Sequence, residues 1–74
     1  MEKCPTCILA DHSHTSYTDG NASTPDEEEC QRVCQATSFC EFFDYNPAVE
    51  RCNLKRAGGT YTPLAGLFAG PKFC

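Results

Sequence analysis

Seven of the chain's 74 residues are cysteine, and no other feature constrains the fold as tightly. A domain of this length has a small core, which rarely contributes more than roughly 3–5 kcal/mol of net stability. Cysteines at this density mark a disulfide scaffold from an oxidising compartment. The competing chemistries fit less well. Cys4 and Cys7, followed by His12 and His14, are four ligand types that suit zinc. The H-x-H arm is closer than the usual finger separation, however, and such a site leaves the other five cysteines unexplained. A thioredoxin-like reading of Cys4–Cys7 lacks the surrounding βαβ pattern. Both histidines sit in one polar stretch, with Ser13 between them as ordinary loop composition. No nucleophile–base spacing is present, so the chain reads as a non-enzyme without a metal or other cofactor.

A formal charge of −4 gives no electrostatic footprint for nucleic acid or an anionic membrane. PLAGLFAGP is the nearest approach to a membrane span and is interrupted by proline and glycine. MEKCPTC has no apolar signal-peptide core. The expectation is a secreted, extracellular piece of a longer protein, with no membrane insertion and no nucleic-acid partner.

Residues 1–24 are polar and turn-rich, and HSHTSYTDGNAST reads as a long connection with at most a short strand. A helix is expected to follow, with Thr24 as N-cap, Pro25 in the first helical position and Glu27 completing a capping box. Asp26, Glu27 and Glu28 lie where the helix dipole favours negative charge. The helix should run to about Ala36 and bury Cys30, Val33 and Cys34 on one face. CEFFDY reads as a strand, NPAVER as a turn and RCNLKR as the second strand of a hairpin. Ala57-Gly58-Gly59 is a further turn, and Tyr61 to Cys74 should hold one or two short strands.

On such a helix Cys30 and Cys34 cannot pair. Residues four apart hold their Cβ atoms about 5–6 Å apart, against the roughly 3.5–4.5 Å of a disulfide. Cys40 is close enough to clip the helix end, as Cys34–Cys40, and Cys52 on the hairpin is the natural partner of Cys30. Cys74 then closes on an N-terminal cysteine, Cys4 or Cys7.

C-x3-C on a capped helix, a third cysteine soon after, FFDY, CNLK and a terminal G-x-x-x-C together resemble the PAN/apple domain. TSYTDGN resembles the aromatic-then-glycine strand that precedes the family's helix. The resemblance implies an α+β fold, a twisted antiparallel sheet cradling one α-helix, over residues 7–74, with 1–6 as a leading linker. It implies first-to-sixth, second-to-fifth and third-to-fourth disulfides: Cys7–Cys74, Cys30–Cys52 and Cys34–Cys40. Cys4 is then surplus, either unpaired or bonded between domains. The short turn between Cys40 and Cys52 is most like the apple repeats of apicomplexan microneme proteins from Eimeria and Toxoplasma. Those of coagulation factor XI and plasma prekallikrein are also similar.

For function, the resemblance implies a non-catalytic recognition module, one of several in tandem, which binds a host-cell surface protein or glycan. In a microneme protein it would reach the outside through that secretory organelle and serve host-cell attachment and invasion. The alternative is a protein–protein assembly module of a secreted apple-repeat protein such as a blood serine protease. Contacts are expected from the sheet and loops away from the helix. Phe43, Tyr45, Arg51, Asn53, Lys55, Arg56 and Tyr61 are the candidates, because they combine aromatic faces with donors. Asn21-Ala22-Ser23 is a glycosylation sequon.

A stapled, metal-free scaffold has a simple signature. A chelator should leave the melting temperature unchanged, and a reductant should lower stability by several kcal/mol, since each large loop is worth about 3–4 kcal/mol. Loss of structure with the chelator alone, followed by circular dichroism, would favour zinc.

Overall fold

Phe42–Asn46 alternates apolar and polar side chains from Phe43 onward, and its two faces divide the molecule. In the computed structural model, which describes residues 6–74, this strand (β3) lies at the centre of a five-stranded antiparallel sheet. The other elements are β1 (Leu9–His14), β2 (Thr18–Ser23), α1 (Glu27–Gln35), β4 (Arg51–Lys55) and β5 (Tyr61–Pro71). The strand order is β1-β5-β3-β4-β2, and α1 packs against β3, β4 and β5. This is the expected α+β architecture. Cys4 lies outside the described residues.

The core forms between helix and sheet. Phe43 and Tyr45 point under α1 and pair in register with Leu54 and Cys52 of β4. Cys30, Cys34 and Cys40 complete the buried cluster, and Ile8, Ala22, Val33, Phe39 and Phe68 pack around it. Half-cystines therefore do much of what leucine and valine do in larger domains. Cys30 bonds Cys52, Cys34 bonds Cys40 and Cys7 bonds Cys74, with Cα–Cα separations of 5.3, 5.2 and 5.4 Å. On the helix, Gln31 is buried beside Cys30 and Cys34, whereas Val33 is half-buried. The Gln31 amide donates to the Thr6 carbonyl at 2.8 Å and the Pro71 carbonyl at 2.9 Å, tying both ends of the domain to the helix.

The helix starts later than the sequence suggests. Asp26, not Thr24, is the N-cap, and its carboxylate accepts from the Glu29 amide at 2.8 Å. Thr24 is buried and otherwise engaged. Its carbonyl accepts from the Tyr45 hydroxyl at 2.8 Å, its amide donates to Glu50 and its hydroxyl donates to the Asp26 carbonyl. Tertiary bonds to β3 and the hairpin turn hold Thr24 ahead of the helix. Pro25 consequently precedes the N-cap.

The polar stretch before the helix holds two six-residue strands, not one long connection. Neither LADHSH nor TDGNAS contains a run of β-branched residues, so neither announces itself locally. They form because β5 and β4 offer them unpaired edges. The C-terminal segment is one eleven-residue strand, irregular at its middle. Between Ala10 and His12 the partner on β5 steps from Phe68 to Pro63, so residues 64–67 bow outward. Asp11, with φ 55°, accepts there from the Gly66 amide at 3.0 Å and fastens the bulge.

Among the described residues, no helix is long and apolar enough to cross a membrane.

By loop entropy alone, Cys7–Cys74, with a sequence separation of 67, should contribute most, about 4 kcal/mol. The two internal bonds, however, carry the packing of α1. A Cys7→Ser/Cys74→Ser variant should therefore still fold cooperatively, with a lower melting temperature. A Cys30→Ser/Cys52→Ser variant should lose its cooperative transition in circular dichroism melts. The opposite pattern would place the packing anchor at the chain ends.

Candidate functional site

If Phe43 and Tyr45 face the helix, Phe42 and Asp44 must face away. Register extends that second face across the sheet. Asp44 pairs with Asn53 and Asn53 with Asn21, while Phe42 pairs with Lys55 and Lys55 with Thr18. His14 enters from β1, opposite Tyr61 of β5. Polar and aromatic side chains thus meet on a surface that the helix does not cover.

Asp44 is the hub. Its side chain is 7% exposed and forms an ion pair at 3.3 Å with Lys55, whose side chain is 10% exposed. One carboxylate oxygen, Oδ1, accepts from the Asn53 amide at 2.8 Å, and Oδ2 accepts from the His14 backbone N–H at 3.3 Å. The Lys55 ammonium also donates to the Thr18 hydroxyl at 2.9 Å and the Ser16 carbonyl at 3.4 Å. Two hydrogen bonds and one ion pair thus hold the ammonium. Asp44 accepts two hydrogen bonds beside its ion pair. The Asn53 side-chain carbonyl and second N–H stay uncommitted next to Asp44, and the Tyr61 hydroxyl stays uncommitted on the ring that meets His14.

An aromatic wall flanks this hub. His14 stacks on Phe42 at 4.0 Å between centroids and 13° between planes, and meets the edge of Tyr61 at 4.8 Å. Tyr61 is also edge-on to Phe42. The Ser16 hydroxyl lies 2.8 Å from His14 Nδ1, and the Ser16 backbone N–H donates to the same nitrogen at 3.3 Å. Two donors converging on Nδ1 fit a neutral ring with its proton on Nε2. Burial, together with the positive charge of Lys55, holds the His14 pKa below its usual value, against the smaller opposing pull of Asp44. Burial likewise raises the Tyr61 pKa.

The loop over the hub is fixed by the turn before β5. The Thr15 amide donates to the Thr60 carbonyl at 2.9 Å, and the Thr60 amide returns a bond to the Thr15 hydroxyl at 2.8 Å. Gly59, at φ +69°, allows this approach, because a Cβ there would fall 2.5 Å from the Ser16 nitrogen. The site is built in advance.

The structure divides the seven candidates. Asn53 and Lys55 meet at the hub, and Tyr61 meets the His14 ring in the flanking aromatic wall. Arg51 is exposed at the other end of β4, beside a depression of about 200 Å³ lined also by Asn21, Ala22, Ser23, Val49 and Glu50. Arg56 pairs with Asp19 and lies over the Phe39 ring at 5.3 Å, at the β2 edge. Phe43 and Tyr45 are corrected: at 0% and 1% exposure they are core residues beneath the helix. His14, Ser16, Phe42 and Asp44 were missed. The alternation in FFDY signals Phe42 and Asp44 as soon as Phe43 and Tyr45 are placed inside. His14 carries no local signal, since its register depends on β5. Of the zinc-type residues within the described part, Cys7 is committed to its disulfide and His14 to Ser16, while the His12 ring bonds the Ala10 carbonyl.

The PAN domain family model matches residues 4–67. The chain belongs to the PAN domain family. It is 31% identical over 65 residues to a PAN domain-containing protein of Acanthamoeba polyphaga mimivirus, covering 86% of this chain and 29% of that protein. It is 32% identical over 47 residues to microneme antigen L2 of Sarcocystis muris, covering 64% and 34% respectively. The PAN chain thus spans about a third of each relative's length. Among solved structures it superposes on the two N-terminal apple domains of Toxoplasma gondii microneme protein 4 with a TM-score of 0.79 at 22% identity, covering 96% of this chain and 45% of that one. It matches TgMIC4-A5, determined in complex with lacto-N-biose, with a TM-score of 0.78 at 23% identity, covering 92% and 99%. A PAN module from Eimeria tenella gives 0.66 at 26% identity, covering 99% and 87%. The module is therefore similar to microneme apple domains, one of which binds a carbohydrate.

The buried hub makes stability depend on pH in a definite direction. Below the usual histidine pKa of 6.5, the unfolded ring takes up a proton that the folded ring resists. The unfolded state then binds more protons, so stability present above that pH is lost as pH falls below it. Urea midpoints should drop between about pH 7.5 and about pH 5, and His14→Gln should flatten that part of the profile. Asp44→Ala, which strands Lys55 without its partner, should cost about 3–5 kcal/mol at neutral pH.

Proposed function

We propose that this PAN domain is a non-catalytic recognition module whose helix-free sheet face binds a carbohydrate, as part of a secreted adhesive protein. The observation that carries this reading is the pair of uncommitted polar groups, the Asn53 amide and the Tyr61 phenol, on the face that carries Asp44 and the His14–Phe42 stack. An amide able to donate and accept, held in place by Asp44, and a phenol share this face with stacked aromatic rings on a rigid sheet. Sugars offer hydroxyls that need both donors and acceptors, and C–H faces that pack on aromatic rings. A few fixed polar groups in an otherwise apolar wall are what orient such a ligand. The groups that hold Asp44 are already satisfied, so ordering the site adds little entropic cost on binding. The likeness to TgMIC4-A5 and its lacto-N-biose complex supports the ligand class, and the likeness to microneme antigens supports attachment to host cells as the setting. On this reading residues 7–74 form one module among several in a longer secreted chain.

Titration with lacto-N-biose, followed by amide shifts in solution, tests the proposal directly. Shifts should concentrate at Asp44, Asn53 and Tyr61, and Tyr61→Ala should weaken binding at least tenfold while the fold persists. Arg32→Ala, on the exposed face of the helix, should bind like the parent. A shift pattern on the helix side, or binding that survives Tyr61→Ala and Asn53→Ala unchanged, would sink the assignment of this face. A glycan array that is blank, alongside capture of a secreted partner protein through the same residues, would replace the sugar with a protein ligand.

A further inference from the structure

Asn21, in the middle of β2, has no role in the hub, the core or either loop. We infer that Asn21 is an attachment site for an N-linked glycan, and that the glycan covers the outer edge of β2 and the adjoining depression. Four observations on the molecule support this. Asn21-Ala22-Ser23 has the acceptor pattern, with alanine and not proline in the middle. The three disulfides place the chain in the oxidising pathway where such glycans are added. Asn21 is exposed, and its side-chain amide makes no hydrogen bond among the described residues, so a sugar there displaces nothing. Ala22 packs toward the core, so strand alternation turns both Asn21 and Ser23 outward on one face. Residues two apart in an extended strand project from the same face.

The reaction is a simple substitution. The Asn21 carboxamide nitrogen forms a bond to the anomeric carbon of a polyprenyl-diphosphate-linked oligosaccharide. The anomeric C–O bond to diphosphate breaks, the polyprenyl diphosphate leaves with the electron pair, and the amide gives up one proton. No oxidant or reductant is needed.

Position gives the glycan its consequence. β2 is an edge strand, and its outward N–H and C=O groups would otherwise template pairing with another chain. A sugar on Asn21 stands over that edge. It also borders the depression formed by Asn21, Ala22, Ser23, Val49, Glu50 and Arg51. Val49 is 61% exposed, and a sugar's C–H face on it would remove apolar surface from water. Asn21 is the register partner of Asn53, so the glycan stands on the same side of the sheet as Asp44, at its β2 edge; the attachment itself does not depend on what that face binds.

The test is secretion of the chain from eukaryotic cells, followed by intact mass measurement before and after enzymatic removal of N-glycans. The secreted chain should carry a glycan mass that disappears on treatment and leaves aspartate at position 21. Asn21→Gln and Ser23→Ala should each abolish it, and Ser23→Thr should keep or raise occupancy. Arg51 should react more slowly with a dicarbonyl reagent in the glycosylated chain than in Asn21→Gln. An unmodified Asn21 in folded, disulfide-bonded secreted chain overturns the attachment. Equal Arg51 reactivity in the two forms overturns the covering.

Discussion

The bond between Cys30 and Cys52 is the contact on which the rest of the domain depends. It joins the middle of the only helix in the described residues to the strand beside the sheet's centre. Both half-cystines are fully buried, and Cys52 lies in register between Tyr45 of β3 and Ala22 of β2. Once the helix is held there, Phe43 and Tyr45 have a surface to pack beneath. Burying two large aromatics contributes about 1.5–3 kcal/mol each, which a helix of nine residues could not secure alone, since isolated helices of that length are marginal in water. Cys34–Cys40 then fixes where the chain leaves the helix and enters β3. The Tyr45 hydroxyl on the Thr24 carbonyl fixes where the chain enters it.

Holding one face of the sheet in this way frees the other. The helix covers Phe43, Tyr45, Cys52 and Leu54, while Phe42, Asp44, Asn53 and Lys55 alternate onto the opposite side. That side has no helix to bury it, and it is organised by polar bonds. A buried carboxylate–ammonium pair held by further hydrogen bonds is costly to assemble and adds little net stability. Its value is in specificity of arrangement. The same alternation that builds the core therefore supplies a preorganised polar surface at no further cost in chain length.

Much of this was legible in the sequence, and the failures have physical causes. The helix and the β3–β4 hairpin announce themselves through cysteine spacing, an acidic first turn and an aromatic strand. β1 and β2 do not, because LADHSH and TDGNAS are strands only by virtue of partners about 30 to 60 residues away in sequence. The site divides along the same line. Asn53, Lys55 and Tyr61 are recognisable as donors and aromatics, but which half of FFDY faces the helix is decided by packing. Phe43 with Tyr45 and Phe42 with Asp44 are the two faces of one strand, and composition does not separate them cleanly, since each face carries a phenylalanine. His14 was hidden by distance, since its neighbours Phe42, Asp44 and Tyr61 come from two other strands.

The closure of Cys7 onto Cys74 also makes the module a mechanical element. Tension applied across those two residues runs through a covalent link whose ends lie 5.4 Å apart and bypasses the intervening chain. Without the link, the same pull could extend that chain by more than about 200 Å at roughly 3.3–3.6 Å per residue. With it, the sheet and the Asp44 face carry almost none of the load. Under shear, a ligand held on that face would be lost by its own dissociation and not by unravelling of the domain that holds it.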